Sequence, residues 1–396
     1  MNSRRKFLGT SMAMTGGLLG STLPIQGAAM SPVSDLKISD IKTYRLSTGS
    51  LFVRVFCSNG QSGIGECSPM NTHVLQSVIE HALKPIVIGQ DPFNVEPLYD
   101  QMLFHPFKLG PHGALSEAFA GIDLALWDFK GRMLGSPVYR LLGGAYRREV
   151  PVYFSLGWNQ KDSPEEVANI MKGAVGLGYT AVKIRMNWSP LQLDDPNDPA
   201  ENYLAAIRGR IGNSIKLMFD VNNGYSTHRA IQIGRRFQEK FQIVHYEEPT
   251  PQYDYEAMAT VADALDVPVA AGEHEYTRWQ FKDLIQQGKP DIVQPDVTKC
   301  GGLTEAKKIA ALAQAHNKPI VIHNTQPTLG TAASLHFVAS CSNASYPQEF
   351  TGERPELSRL FKNKLSFEQG TLRVPEDPGL GLEPDLAALE AAAEKG

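Results

Sequence analysis

Apolar and polar residues alternate from Leu36 to about Gly65, and Leu51-Phe52-Val53-Arg54-Val55-Phe56 ahead of Asn59-Gly60 predicts a strand and a tight turn in a small antiparallel sheet. The period lengthens to that of a helix from about Val74 to Gly89, and again from Ala114 to Leu134. In the second stretch Ile122, Leu124, Ala125, Leu126 and Phe129 form one broad apolar face. These elements predict a compact α+β domain over residues 31–148, closing near Gly143-Gly144. Beyond Val150, short apolar runs alternate with amphipathic stretches. Eight strands are predicted: Val150 to Ser155, Ala181 to Arg185, Ile215 to Asp220, Ile243 to Glu247, Pro268 to Ala271, Ile292 to Gln294, Ile320 to His323 and Tyr346 to Phe350. Eight βα units predict a (β/α)8 barrel over residues 149–355, with the Pro-, Gly- and Glu-rich segment 356–396 returning to cover the first domain.

Chemistry in such a barrel sits at the C-terminal ends of its strands. The third strand ends in Asp220, the fourth in Glu247 with Glu248, and the fifth leads into Glu273. Three buried anions on adjacent strands would repel by several kcal/mol even at an effective dielectric of roughly 20. A divalent cation resolves the conflict, and oxygen ligands without Cys or a dedicated His favour one Mg²⁺, or Mn²⁺, over zinc. The sixth strand ends in Gln294-Pro295-Asp296 and the seventh in His323-Asn324. Neighbouring strands bring Asp296 within reach of His323, where the carboxylate would fix the imidazole tautomer and raise its basicity, as a general base requires.

A net charge of −4 over 396 residues leaves no basic stripe, which argues against nucleic acid and for a small-molecule substrate. The four cysteines have no metal-ligand spacing and predict neither a zinc site nor a disulfide framework. At the N-terminus, Ser3-Arg4-Arg5-Lys6-Phe7-Leu8 precedes a weakly apolar, Gly- and Met-rich run ending in Gly27-Ala28-Ala29. That order predicts a twin-arginine signal over residues 1–30, a periplasmic protein exported in folded form, and no membrane span in the mature chain.

Taken in order, Lys183-Ile184-Arg185, Asp220-Val221-Asn222, Glu247-Glu248-Pro249, Gly272-Glu273, Gln294-Pro295-Asp296 and His323 resemble the enolase superfamily in its mandelate racemase/muconate lactonizing enzyme branch. The resemblance extends to Ile122-Asp123-Leu124-Ala125-Leu126-Trp127-Asp128 in the first domain. Ala271-Gly272-Glu273-His274-Glu275, the segment Lys183 to Pro190, and Gln348-Glu349-Phe350 are most similar to rhamnonate dehydratase and related acid-sugar dehydratases. This likeness implies an α/β fold, a modified (β/α)8 TIM barrel under an N-terminal α+β capping domain, with Mg²⁺ on a substrate carboxylate. It also implies a sugar-acid substrate and a homo-oligomer.

Racemases of this branch carry Lys-x-Lys on the second strand, where this chain has Lys183-Ile184-Arg185. Arginine, with a pKa above about 12, is a poor base, so Lys183 and Arg185 are expected to bind the carboxylate or neutralise the enolate. One base suffices for a dehydratase, in which His323 takes the α-proton and then protonates the departing β-hydroxyl. By resemblance Glu349 is placed against the substrate carboxylate. Asn222 and His274, beside metal ligands, are candidates for substrate hydroxyls, and His73, His105 and His112 fall in loops expected to cap the barrel mouth. Alternative readings are an epimerase, racemase or cycloisomerase on a related sugar acid, and an exported sugar-acid binder without catalysis, which the intact acids and the Asp296–His323 pair argue against.

Overall fold

The structure, a computed structural model, describes residues 35–157, 162–186 and 192–394. The signal expected over residues 1–30, and residues 187–190 of the Lys183 to Pro190 motif, lie outside the described residues.

Three strands, β1 (Ile38–Arg45), β2 (Leu51–Cys57) and β3 (Ser62–Glu66), form an antiparallel meander. The turn between β2 and β3 uses Gly60 at a positive φ of 79°, where a side chain would be strained. The long helix Ala114–Met133 lies directly on β3 and is buried along most of its length. A Cβ on Gly63 or Gly65 would collide with that helix at the carbonyls of Ala125 and Gly121, so the strand needs glycine at both positions. The helix reads as apolar nearly all round because its other side meets the barrel. There Trp127 donates to Thr304 Oγ1 at 2.9 Å and Asp123 accepts from the Thr304 amide at 3.1 Å.

The expected modified barrel is present. Strands β4 (Glu149–Gly157), β5 (Ala181–Arg185), β6 (Lys216–Asp220), β7 (Ile243–Glu247), β8 (Val269–Ala271) and β9 (Ile292–Val293) pair in parallel and in sequence order, and β10 (Gln348–Phe350) pairs parallel to β4. The C-terminal segment adds a hairpin, β11 (Phe367–Glu368) with β12 (Thr371–Arg373), antiparallel to the start of β4. Further on, Leu380 donates its amide to Asp128 of the long helix at 2.8 Å.

The expected seventh strand, Ile320 to His323, is not a regular strand, and only Ile320 forms a bridge, to Val293. On its β9 side the ladder continues, through Val321 N to Val293 O at 3.1 Å and His323 N to Pro295 O at 3.2 Å. On its β10 side a side chain replaces the backbone partner. Gln348 Oε1 accepts from Ile322 N at 2.8 Å, and Gln348 Nε2 donates to Ile320 O at 3.3 Å. The gap is thus satisfied by an amide side chain, and the backbone groups there are paired without a second strand.

Tyr153, Ala181, Met218, Ala270, Ile292 and Val321 pack together as an apolar cluster separate from the main core. Successive side chains on a strand alternate in direction, so the residue two positions further on shares the face of each cluster member. That rule places Lys183, Asp220, Gln294 and His323 on one layer above the apolar cluster, toward the C-terminal ends.

Candidate active site

Lys183 is fully buried and surrounded by acids. Its Nζ lies 2.7 Å from Glu247 Oε1, 3.0 Å from Glu349 Oε1 and 3.7 Å from Asp220 Oδ2. Burial opposes its charge, but Glu247 and Glu349 outweigh that and hold it protonated, with a pKa well above the usual lysine value. Burial also pushes the Asp220 carboxyl well up, with Glu247 adding to the effect, whereas Lys183 and His245 overcome burial at Glu247 and hold it below the usual range. The second oxygen of Glu247 meets His245 Nε2 at 3.0 Å and accepts from Gln294 Nε2 at 2.9 Å.

Glu273 follows Gly272, whose φ of 143° turns the chain away from β8. A second set of cations gathers on Glu273: His323 Nε2 in very close contact, His274 Nε2 at 3.1 Å, and Lys299 Nζ at 3.9 Å. Opposite, His323 Nδ1 meets Asp296 Oδ2 at 2.8 Å, and Asp296 Oδ1 accepts from the amide and hydroxyl of Thr298, both at 2.7 Å. Burial disfavours the His323 imidazolium, but Glu273 and Asp296 outweigh it and raise its pKa to about 10. At His274, burial is likewise outweighed by Glu248 and Glu273, which raise it to about 11.

The strand-end acids therefore converge. Asp220 and Glu247 are register partners on adjacent strands, and both feel the charge of Glu273. An all-oxygen set of buried carboxylates fits a hard divalent cation. Glu248, Glu273 and His274 place one ligand atom each within 4.8 Å of one another, a tighter cluster than the expected triad. Of the two sets, the triad is the all-oxygen one, which is the donor set a hard divalent cation prefers. Asn222, at a φ of 54°, orients two of the triad's carboxylates: its amide donates to Asp220 Oδ1 at 2.8 Å and its Nδ2 to Glu273 Oε1 at 3.4 Å.

A cavity of about 490 Å³ opens between the first domain and the strand ends. From the barrel it is lined by Arg185, Asn222, Glu273, His274, Tyr276, Lys299 and His323. Arg185 packs on Gly157, where an added Cβ would lie 2.6 Å from its Nη2. Glu349 does not line the cavity. It accepts from Asn324 N at 2.8 Å and pairs with Lys183, so both of its contacts are those of an acceptor. His73 and His105 are exposed and also do not line the cavity, while His112 stacks on Tyr276, which does. The first-domain wall is instead Met70, Asn71, Val74, Leu75, Ala114 and Glu117, together with Gly113.

Sequence reasoning passed over His245 and Lys299. His245 sits two residues before Glu247 on one strand, and the alternation rule would have found it. Lys299 lies in the loop after Asp296, and only the tertiary structure brings it to Glu273.

Two family models match the chain. One, described as "Enolase C-terminal domain-like", matches residues 166–388, and the other, "Mandelate racemase / muconate lactonizing enzyme, N-terminal domain", matches residues 39–143. Among curated relatives, the chain is 32% identical to the arabinonate dehydratase of Saccharolobus solfataricus, over 82% of this chain and 85% of the relative. It is 33% identical to the D-galactonate dehydratase of Ralstonia pickettii, over 89% of this chain and 94% of the relative. A crystal structure of a mandelate racemase/muconate lactonizing protein from Paracoccus denitrificans, complexed with magnesium, superposes with a TM-score of 0.84. That protein is 36% identical, and the match covers 91% of this chain and 98% of its own.

Proposed function

Because the chain belongs to the mandelate racemase/muconate lactonizing enzyme family of the enolase superfamily, we propose that it is a Mg²⁺-dependent acid-sugar dehydratase that converts a sugar acid to a 2-keto-3-deoxy acid. The observation that carries this reading is the placement of His323, anchored by Asp296 through Nδ1 and facing the cavity and Glu273 through Nε2. The dehydratase names of two relatives at 32% and 33% identity support the reaction class.

Asp220, Glu247 and Glu273 would hold the Mg²⁺, and a cation there stabilises the negative charge that builds on the substrate carboxylate as the α-proton leaves. Were Glu273 engaged as a ligand, its hold on the His323 proton would weaken, which would leave the imidazole as the base. His323 Nε2 takes the proton from C2. As the C3–O bond breaks, the same imidazolium gives that proton to the departing hydroxyl, which leaves as water. The enol that remains tautomerises to the ketone, so the substrate loses one water in all. Asp296 keeps Nδ1 protonated and the ring oriented throughout. Arg185, permanently cationic in the cavity wall, attracts the carboxylate and cannot compete as a base. Lys183 steadies Glu247, Asp220 and Glu349 from below.

Export by a twin-arginine signal over residues 1–30 and a homo-oligomeric state belong to the same proposal, the first supported by the Ser3-Arg4-Arg5-Lys6-Phe7-Leu8 order and the second by the family resemblance. The test is proton NMR in heavy water with a panel of sugar acids and Mg²⁺. The wild type should exchange or eliminate the α-proton of one acid and release a 2-keto acid, and His323→Asn should do neither. Exchange that persists in the variant, or a diastereomer in place of a keto acid, would refute the one-base dehydratase.

A further inference from the structure

Of the described first-domain residues that line the cavity, Glu117 alone carries a charge; the others are Met70, Val74, Leu75, Ala114, Gly113 and Asn71. Apart from Glu273, it is also the only acid in the lining among the described residues. Glu117 lies in the first turn of the helix Ala114–Met133 and is only 5% exposed. It shares the cavity wall with Tyr276 and Lys299, and although burial raises the pKa of its carboxyl, the Lys299 charge and the Tyr276 and Ser68 hydroxyls act in the opposite direction and favour the carboxylate. The start of the helix is fixed in place, since Ser116 Oγ donates to the Lys299 carbonyl at 2.8 Å and to that of Tyr276 at 3.3 Å. A carboxylate on so rigid a support is preorganised, and its position does not depend on a mobile loop.

Such a group answers a need that the barrel residues do not. The cations Arg185 and Lys299 draw any carboxylate into the cavity and cannot distinguish a compound with one from a compound with two. We propose that Glu117, with Tyr276, is the subsite that reads the hydroxyl groups of the substrate remote from the reacting carbon, and that its charge selects polyhydroxy monoacids of the aldonate class over the corresponding diacids. A carboxylate accepts strongly from hydroxyls, and it repels a second carboxylate brought to the same wall. This rests on the dehydratase reading for the nature of the substrate and extends it to which sugar acids are admitted.

The experiment compares six-carbon aldonates with aldarates of matched configuration, D-galactonate with galactarate first, on wild type and Glu117→Gln. Readouts are kcat/KM and, separately, binding measured by calorimetry with Mg²⁺ present. Wild type should favour the monoacid of every active pair. Glu117→Gln should lose about 10- to 100-fold in kcat/KM on the monoacid, the range set by one charge-assisted hydrogen bond. Its preference over the diacid should shrink by 10-fold or more. Unchanged Mg²⁺ affinity and circular dichroism show that the variant is folded. A wild type that prefers the diacid, or a variant with an unchanged monoacid-to-diacid ratio, overturns the subsite. If no acid exchanges its α-proton, the dehydratase reading fails alone and binding decides the rest. Weaker aldonate binding by the variant supports the subsite, and equal binding of both acids by both proteins overturns it.

Discussion

Replacing Lys183 by methionine removes the cation that Glu247, Glu349 and Asp220 share at 2.7, 3.0 and 3.7 Å. Methionine fills much of the same volume, so the loss is electrostatic rather than a cavity. Each contact is worth about 4 kcal/mol by Coulomb's law near 4 Å at an effective dielectric of 20, but most of that only offsets the cost of burying the charges. The net penalty for removing one partner of a buried pair is about 3–5 kcal/mol. With an unfolding entropy of about 2.1 cal/mol/K per residue over roughly 360 residues, this corresponds to a fall in Tm of roughly 4–7 °C. The penalty must also depend on pH. Without Lys183, Asp220 and Glu247 lose the cation that favours their ionised forms, so their folded pKa values rise and the penalty grows as pH rises through them. The variant should therefore lose more at pH 8 than at pH 5 when scanned by calorimetry in EDTA. A penalty equal at both values, or absent, would mean that Lys183 is not the counter-ion of the cluster.

Glu66, fully buried, accepts from Gly330 N at 2.9 Å and Thr328 Oγ1 at 3.2 Å, yet burial pushes its pKa from about 4.5 up to about 7. Its folded pKa is the higher one, so stability should fall by about 3 kcal/mol as pH rises from about 4.5 to about 7 and then level off. Glu66→Gln should remove that part of the slope in urea titrations, and an unchanged slope would contradict the assignment. Asp128 accepts from Ile64 N at 2.9 Å, Leu380 N at 2.8 Å and Arg132 Nε at 2.7 Å. Asp128→Asn leaves donors unpaired and should cost about 2–4 kcal/mol in the urea midpoint, whereas a loss below about 0.5 kcal/mol would show that the C-terminal segment is held by other contacts. Replacing Arg4 and Arg5 by lysine should leave the protein in the cytoplasmic fraction, and normal periplasmic recovery would rule out a twin-arginine route.

The barrel strands were the most legible part of the chain. Ala181–Arg185 and Ile243–Glu247 have the bounds that their apolar runs predict, because a buried parallel strand is a short apolar run and little else. Reading the last residue of each predicted strand also reaches Asp220 and His323 without any tertiary knowledge. The seventh strand was misread for a local reason, since Ile320 to His323 has a strand's composition but finds a glutamine side chain on one flank. Pairings that span long sequence distances were not legible. Lys183 meets Glu349 only after the barrel closes between β10 and β4, and Glu117 reaches the cavity only when the first domain docks. Periodicity reports which face a side chain takes and carries no information about which distant face it meets.

The first domain does more than cover the mouth, because its buried acids fasten the loops that carry the chemistry. Glu66, the last residue of β3, holds Thr328 and Gly330 in the loop that follows His323. Asp123 holds Thr304, beyond the loop that carries Asp296 and Lys299. Ser116 holds the carbonyls of Lys299 and Tyr276. All of these bonds except the part-buried Ser116–Tyr276 one are buried and away from competing water, so they are worth more than surface contacts and cost more to break. The geometry of His323 against Glu273 therefore depends on how the meander and the long helix sit on the barrel. Substitutions at Glu66, Asp123 or Ser116, none of which acts on a proton of the substrate, should still reach the base through the loops they anchor.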